Sequence, residues 1–444
     1  MAHAETSTAV SVAGAGEAQA RHARQLGYTD FQWYFSNARN TVYWAAFTDN
    51  VTPERFHALV ARLIELAPQL GWRQDDRRHT HVDMKPVAVE RIIAWHEVST
   101  LDGLPDAALQ HSEDLFDDPS LPCFRAACWS LAPDARKPGA NTALILFRFS
   151  HALMEGVDAA LLLRARDSIH DLPPTEPGRR IPQRMLSHIL AALLMPGHFV
   201  SAALHRSKPA DFRLKTLVLD RGDLRRVANQ LGVQQRSLLF ALVMYGIYGI
   251  AMGAKPRLKP QIAAYSRLSS RRVAGDDDFM RLRMHLTMIR NKPSFADYVR
   301  AFDATLAKVK PDSLGFQMHY NAVLGLHRRL SRLLPFVYGR RFFHYLPYEF
   351  VLSLVPPQMN AGEFSDYHFN DIYCGSHTPG VNCCVFTPQQ DRFSLNVYGN
   401  PKVMARFDRI AALAVELGIR EKPRGSAQKT GAAARPEPAI AGAR

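Results

Sequence analysis

The sequence predicts an α/β fold, either α/β or an α+β sandwich, because β-favouring apolar runs alternate with helical patterns in both halves. The strand runs are short and free of Gly and Pro, and the helical runs carry apolar residues at helical spacing. Gly232, directly after one of the helical runs, has the place of a C-terminal glycine cap. The predicted elements are strands at Val42–Phe47, Thr142–Phe147, Leu214–Leu219 and Phe393–Tyr398, and helices at Pro53–Ala67, Ala159–Ile169, Arg221–Leu231 and Ser237–Ala251.

The domain organisation follows from length and from one Pro-rich break. A chain of 444 residues is long enough to bury two cores. The segment Asp171–Gly178 contains three prolines and divides the two halves. We therefore predict a disordered leader at 1–26, an N-terminal domain at 27–172, a linker with membrane-surface helices at 173–211, a C-terminal domain at 212–420 and a disordered tail at 421–444.

Composition excludes several functional classes. The chain is 47% hydrophobic and 22% charged, and its mean hydropathy of −0.17 argues against a multi-spanning membrane protein. Its five cysteines have no metal-binding or pairing spacing, which indicates a reducing, cytoplasmic compartment. The neighbouring Cys383 and Cys384 are expected to pack in a core. No zinc, phosphate-loop or serine-hydrolase motif is present, so we predict neither a metal nor a bound cofactor.

The net charge of +14 indicates an anionic partner. No nucleic-acid-binding motif accompanies the charge, and we predict no nucleic-acid partner. Acidic residues are absent between Glu176 and Asp211 and between Asp312 and Glu349, where arginines stand beside leucine and phenylalanine. That composition is typical of helices on an anionic membrane surface, and equally of core helices with arginines on their solvent face. The first alternative predicts peripheral contact with the inner face of the membrane.

The most informative segment is Phe147–Asp158. His151 follows an apolar strand, precedes a helical pattern and shares its connection with Glu155 and Gly156. A histidine at a strand end can turn one ring nitrogen toward a cleft, as a general base requires. The alternative is a structural histidine, since the chain has 18 histidines and most histidines beside a strand serve packing.

The pattern His-x-x-x-Glu-Gly resembles the His-His-x-x-x-Asp-Gly signature of the coenzyme A-dependent acyltransferase superfamily. That group includes chloramphenicol acetyltransferases, peptide-synthetase condensation domains and bacterial wax ester synthase/diacylglycerol acyltransferases. The chain departs from the pattern with Ser150 in place of the first histidine, Glu155 in place of the aspartate, and Gln235–Ser237 where an Asn-Asp pair is usual. Further stretches follow the order of the wax ester synthase-like family: Tyr28–Trp33, Asp117–Pro122, Ile262–Arg267, Ser353–Pro357 and Asp408.

The resemblance implies two chloramphenicol-acetyltransferase-like domains with a central tunnel and His151 at its middle as the general base. It also implies acyl-CoA as co-substrate and a lipidic alcohol, such as a fatty alcohol or diacylglycerol, as acceptor. A carrier-protein-bound substrate and a catalytically lapsed acyl-chain-binding protein are the alternatives.

The resemblance also assigns supporting residues around the base. Glu155 is expected to form an ion pair that shapes the loop, for which we infer Arg267 as partner and Asp158 as the rival carboxylate. Gly156 is expected to allow close approach of the backbone or a positive φ. Ser150 and Ser353 are candidate substrate-binding residues.

Overall fold

The computed structural model describes residues 24–25, 41–75, 80–102, 104–110, 115–151, 153, 174–175, 211–249, 261–268, 272–273, 282–290, 292–308, 350–355, 366–378 and 381–424. The helices are α1 (Pro53–Leu66), α2 (Leu104–Ala108), α3 (Arg221–Leu231), α4 (Gln235–Tyr248), α5 (Phe295–Ala307), α6 (Pro401–Met404) and α7 (Phe407–Glu416). The strands are β1 (Arg24–Gln25), β2 (Thr41–Thr48), β3 (Trp72–Asp75), β4 (Thr80–Asp83), β5 (Ile93–Val98), β6 (Phe124–Leu131), β7 (Ala143–Ser150), β8 (Pro174–Thr175), β9 (Arg213–Asp220), β10 (Gln261–Leu268), β11 (Arg272–Val273), β12 (Leu282–Ile289), β13 (Phe350–Leu354), β14 (Asn370–His377), β15 (Cys383–Pro388) and β16 (Arg392–Gly399).

Two large mixed sheets organise the described part of the chain. Sheet one has the strand order β14-β2-β7-β6-β5, with β7 at its centre. Sheet two has the order β12-β10-β13-β15-β16-β9, in which β13 runs parallel to both of its neighbours. The short strands β1, β4 and β3 form a small separate sheet, and β8 pairs with β11.

The two sheets pack face to face, and helices cover their outer faces. On the outer face of sheet one, α1 buries Phe56, Leu59 and Leu63 in a core with Trp44 and Phe147. On the outer face of sheet two, α3, α4, α5 and α7 enclose a second core. Side chains of both sheets meet in a third cluster, and the central strand of sheet one is therefore buried on both faces.

Strand β14 belongs to the second half of the chain but pairs with β2 in sheet one. Its outer edge faces sheet two, where Gln389 Nε2 donates to the carbonyl of Ile372 at 2.9 Å and Asn396 Nδ2 to that of Cys374 at 3.0 Å. The buried carboxylate of Asp371 bonds Arg392 of β16 at 2.7 Å. One strand thus joins the two sheets through backbone pairing on one side and side-chain bonds on the other.

Local sequence signals account for the predicted elements. Helix α1 begins after Thr52, whose side chain accepts from the amide of Arg55 at 3.3 Å, and Pro53 occupies its first turn. Helix α3 ends at Gly232, which has a φ of 68° in the left-handed region. The helix predicted to begin at Ser237 begins at Gln235, and the strand predicted to end at Phe147 continues to Ser150. The predicted α/β class is confirmed.

Several predictions lie outside the described residues. These are the helix at 159–169, the motif residues Glu155, Gly156 and Asp158, most of both acid-free stretches, the tail from 425 and the leader up to residue 23. Two residues near the end of the predicted leader, Arg24 and Gln25, pair with β4. No helix among the described residues is long and apolar enough to cross a membrane.

Candidate active site

His151 directly follows β7, the central strand of sheet one. The amide of Ser150 donates to the carbonyl of Cys123 at 3.0 Å, and the amide of Leu153 donates back to the carbonyl of Ser150 at 2.9 Å. His151 therefore lies inside a tight turn. Leu153 is fully buried beside Phe116 and Cys123, and this packing anchors the turn that carries the imidazole.

Burial controls the protonation of the imidazole. His151 is 8% exposed, and its desolvation lowers its pKa from the usual 6.5 to about 4, while a hydrogen bond to its own backbone opposes the shift. The ring is neutral at pH 7. A neutral imidazole can accept a proton, which is the state a general base needs.

The burial of His151 predicts a pH-dependent stability. Because the pKa is lower in the folded state than in the unfolded state, the unfolded state binds more protons between pH 6.5 and 4. The free energy of unfolding should therefore fall as the pH drops through this window, by about 3 kcal/mol from this residue. Urea unfolding of wild type and His151→Gln at intervals of pH measures it. A constant difference between the two proteins across the window would contradict a desolvated neutral imidazole.

The face of sheet one that meets sheet two is polar near His151 and apolar further away. Strand pairing places side chains in rows across β7, β2 and β14. From the His151 end, the rows are Ser150–Thr41–His377, Arg148–Tyr43–Gly375 and Leu146–Ala45–Tyr373. We call the first two the polar rows. The side chains of Ser150, Thr41, Tyr43 and His377 are all buried.

The polar rows contact sheet two through a series of tilted and edge-to-face rings. The Tyr43 and His377 rings lie 4.9 Å apart, and the His377 ring lies 5.1 Å from that of Tyr398 in β16. The Tyr398 ring is in turn 5.3 Å from that of Phe212, just before β9. These contacts place the polar rows inside the interface between the sheets, beside the turn that holds His151.

Arg148 brings a partly buried positive charge to the same face. Its guanidinium donates to the carbonyl of Ala108 and, at 3.0 Å, to that of Gln110. Burial lowers the pKa of Arg148 to about 10, so the side chain remains charged at neutral pH. Burial also raises the pKa of Tyr43 well above its usual value, so the phenol is protonated. Both groups therefore present hydrogen-bond donors to the interface.

The other predicted site residues that the structure describes lie on two strands. Ser150 ends β7 and is buried in the first polar row. Arg267 lies in β10, one residue after Ser266, and Ser266 pairs with Ser353 of β13. The chain thus brings the Arg267 strand end and Ser353 together in sheet two. The Glu155–Arg267 ion pair stays a prediction, because Glu155 and the Arg267 side chain are outside the described part.

Tyr43, Arg148 and His377 were not among the residues predicted from the sequence. Alternation along β7 could have found Arg148, since it and Ser150 are polar residues two apart in an otherwise apolar strand. The place of His377 depends on the pairing of β14 with β2 across the two halves. No local pattern indicates that pairing.

A cavity of about 550 Å³ opens at the opposite end of β7 from His151. Phe47, Leu101 and Leu131 form its apolar wall, with Lys137 and Arg424 at its polar side. Among the residues that the structure describes, no group of three or more His, Cys, Asp or Glu side chains could hold a metal ion.

The fold is shared with known acyltransferases. It matches TRI3 trichothecene 15-O-acetyltransferase from Fusarium sporotrichioides with a TM-score of 0.61 at 11% identity, over 89% of this chain and 95% of that chain. The first condensation domain of the CDA synthetase matches with a TM-score of 0.56 at 12% identity, over 90% and 97% of the two chains. This is a chloramphenicol-acetyltransferase-like condensation fold.

At these identities the likeness shows the fold alone. A wax ester synthase/diacylglycerol acyltransferase from Marinobacter aquaeolei VT8 has a TM-score of 0.49 at 14% identity, over 89% of this chain and 100% of that chain. No protein-family model matches the sequence, and no curated protein is similar to it at a significant level. The comparisons therefore show the fold, and membership of the predicted superfamily and of the wax ester synthase-like family remains a prediction.

Proposed function

We propose that this protein is an acyl-CoA-dependent O-acyltransferase that moves a fatty acyl group to a lipidic alcohol, with His151 as general base. The observation that supports it is a buried, neutral imidazole at the end of the central strand, beside the interface of two sheets with a condensation fold. The anchored turn holds that imidazole in place, and the polar rows beside it provide hydrogen-bond donors.

The reaction follows from the chemistry of a thioester and an alcohol. The neutral imidazole removes the proton of the acceptor hydroxyl while its oxygen attacks the thioester carbonyl. The carbon–oxygen bond forms, and the carbonyl electrons move onto the oxygen, which a hydrogen-bond donor stabilises. When the intermediate collapses, the carbon–sulfur bond breaks and the imidazolium gives its proton to the departing thiolate. The products are an ester and a free thiol, and the histidine is neutral again.

The described cysteines are poor candidates for a covalent acyl intermediate. All five are buried, and burial raises the pKa of Cys383 to about 12, so its thiol is protonated at neutral pH. Cys123, whose carbonyl bonds Ser150, packs its side chain against Leu153. Direct transfer from thioester to alcohol is therefore the simpler scheme.

A thioester donor on a carrier protein is the second candidate, and the likeness to a condensation domain favours it. The acyl-transfer chemistry at His151 is the same for both donors. The two donors share the phosphopantetheine arm and differ in the group attached to its far end. That group is a nucleotide in CoA and a protein in the carrier, and either would bind outside the reaction site.

The test is acceptor-dependent thiol release. Purified protein is incubated with acetyl-, decanoyl- and palmitoyl-CoA and a panel of fatty alcohols, diacylglycerol, sterols and amines. We expect free thiol and ester to form in equal amounts with at least one alcohol. A pantetheine thioester used in place of acyl-CoA shows whether the nucleotide is needed. The absence of acceptor-dependent thiol release with every pair would contradict the proposal and favour a catalytically lapsed protein.

A further inference from the structure

Arg125, a half-buried residue of β6, bonds the main chain beside the turn that holds His151. Its Nη1 donates to the carbonyl of Pro122 at 2.7 Å and to the carbonyl of Phe124 at 2.7 Å. These two carbonyls flank Cys123 in the sequence. Because one charged nitrogen bonds both of them, Arg125 fixes the course of the main chain through Cys123.

Cys123 is the residue through which this segment holds the histidine turn. Its carbonyl accepts from the amide of Ser150 at 3.0 Å, and its own amide donates to the carbonyl of Trp72 at 2.9 Å. Its side chain packs with Leu153, which is fully buried two residues after His151. Cys123 therefore holds the turn on both sides of the imidazole, before it at Ser150 and after it at Leu153.

Arg125 also contacts the apolar cluster that anchors the turn. Its guanidinium carbon lies 5.7 Å from the centre of the Phe116 ring, and Phe116 packs with Cys123 and Leu153. A guanidinium in this place is attracted to the face of the ring and covers the cluster with its plane. One side chain thus holds both the main chain of Cys123 and the apolar group against which Leu153 packs.

We propose that Arg125 is a positioning residue for His151, acting through Cys123 and Leu153. The inference rests on the proposed function for the role of the imidazole. A general base works only when its nitrogen lies within hydrogen-bond reach of the proton that it removes. A displacement of about 1 Å can lower the rate about 10²-fold, so a turn that loses its anchor loses catalysis. Proton removal by His151 therefore depends on Arg125, although Arg125 itself carries no proton in the reaction.

Kinetics of Arg125→Met test the positioning role. We expect kcat to fall about ten- to a hundredfold with both KM values within about twofold, because a displaced base slows proton removal and leaves substrate binding intact. Arg125→Lys should recover part of the loss, since its ammonium keeps the charge and N–H donors for both carbonyls. The matched control is Arg136→Met. Arg136 Nε donates to the carbonyl of Leu131 at 2.9 Å, at the opposite end of β6, and its loss should leave kcat unchanged.

A double variant shows whether Arg125 acts through His151. In a His151→Ala background the base is absent, so Arg125→Met should leave the residual rate of acyl transfer unchanged. An arginine that only supports the fold would lower the residual rate as much as the wild-type rate. Each assay is run well below the thermal unfolding transition of its variant, which circular dichroism measures. If Arg125→Met does not fold, Arg125→Gln, which keeps an N–H donor, replaces it in both backgrounds.

Chemical modification provides a readout that does not need turnover. Diethyl pyrocarbonate acylates the neutral imidazole rings that it can reach, and peptide mass spectrometry gives the rate at each histidine. His151 is only 8% exposed and should react slowly in wild type. Arg125→Met should speed its reaction severalfold, because the turn is no longer held, while the exposed His96 reacts as before. Arg136→Met should change neither rate. If wild type transfers no acyl group but this change is seen, the positioning role stands and the proposed reaction fails.

Three results would overturn the positioning role. An unchanged kcat in folded Arg125→Met would mean that the turn holds the base without the arginine. An equal fall in rate in the wild-type and His151→Ala backgrounds would mean that Arg125 supports the fold and not the base. In both cases the proposed acyl transfer at His151 would be unaffected. If wild type is inactive, an unchanged rate of His151 modification in Arg125→Met would overturn the role by itself.

Discussion

Replacing His151 with alanine should lower acyl transfer by about 10²- to 10⁴-fold, the contribution of a positioned general base. The loss should appear in kcat, because the imidazole acts on the proton that moves during attack and is not needed to bind either substrate. Thermal unfolding should stay within a few degrees of wild type, since the turn remains anchored by Leu153. Thiol release and thermal unfolding are measured on the same preparations.

The matched control is His96→Ala, which removes an exposed histidine of the edge strand β5 that stacks on Trp129. It should retain full activity. The pH profile gives a second check: because the pKa of His151 is about 4, the acid limb of kcat/KM should lie well below pH 6.5. Retention of more than about a tenth of the turnover in His151→Ala would contradict the general-base role. Loss of the fold would favour the structural-histidine interpretation.

The second large effect is expected at the ion pair between the sheets. Arg392 Nη1 lies 2.7 Å from Asp371 Oδ1, and the two side chains are only 10% and 5% exposed. Removing the arginine leaves a buried carboxylate without its charge partner, which costs about 3–5 kcal/mol. We expect Arg392→Met to lower the free energy of unfolding by this amount in urea titrations.

Comparison with a pair whose arginine is exposed separates the effect of burying the arginine from the effect of its charge. Arg420 is 74% exposed and bonds Asp223 at 2.7 Å, so Arg420→Met should cost much less free energy of unfolding than Arg392→Met. The double variant Arg392→Met/Asp371→Asn should cost less than the sum of the single changes, because neither charge is then left alone. Asparagine suits the site because Asp371 has a φ of 41°, which asparagine tolerates. Equal costs for Arg392→Met and Arg420→Met would show that the pair adds nothing through burial.

Helix boundaries could be predicted from the sequence where capping residues mark both ends of the helix. Helix α3 begins after Asp220 and ends at Gly232, and both ends follow from side-chain capping and a left-handed glycine. Helix α4 was predicted two residues short at its start, because the polar residues Gln235 and Arg236 precede its apolar run. The ends of such helices depend on packing against neighbouring helices, and the spacing of apolar residues carries no information about that packing.

The candidate site was only partly predictable. The strand ending before His151 was evident, because β7 is apolar and its sequence is continuous with the histidine. The facing partners were not, since Tyr43 and His377 reach the same interface from segments more than 300 residues apart. Sequence patterns report which face of a strand is apolar. They do not report which distant strand lies beside it, and that neighbour determines how a buried hydroxyl is packed.

The pairing of β14 with β2 has a consequence for how the chain is made. Thr48 Oγ1 donates to the carbonyl of Tyr367, a residue 319 positions later in the chain. At the usual speed of translation, β2 emerges from the ribosome roughly 15–60 s before its partner strand exists. During that interval one side of a strand that is fully buried in the folded protein offers unpaired amides and carbonyls, which favours association with other nascent chains. Ribosome-bound fragments that stop before residue 370 should therefore be the species most in need of a chaperone.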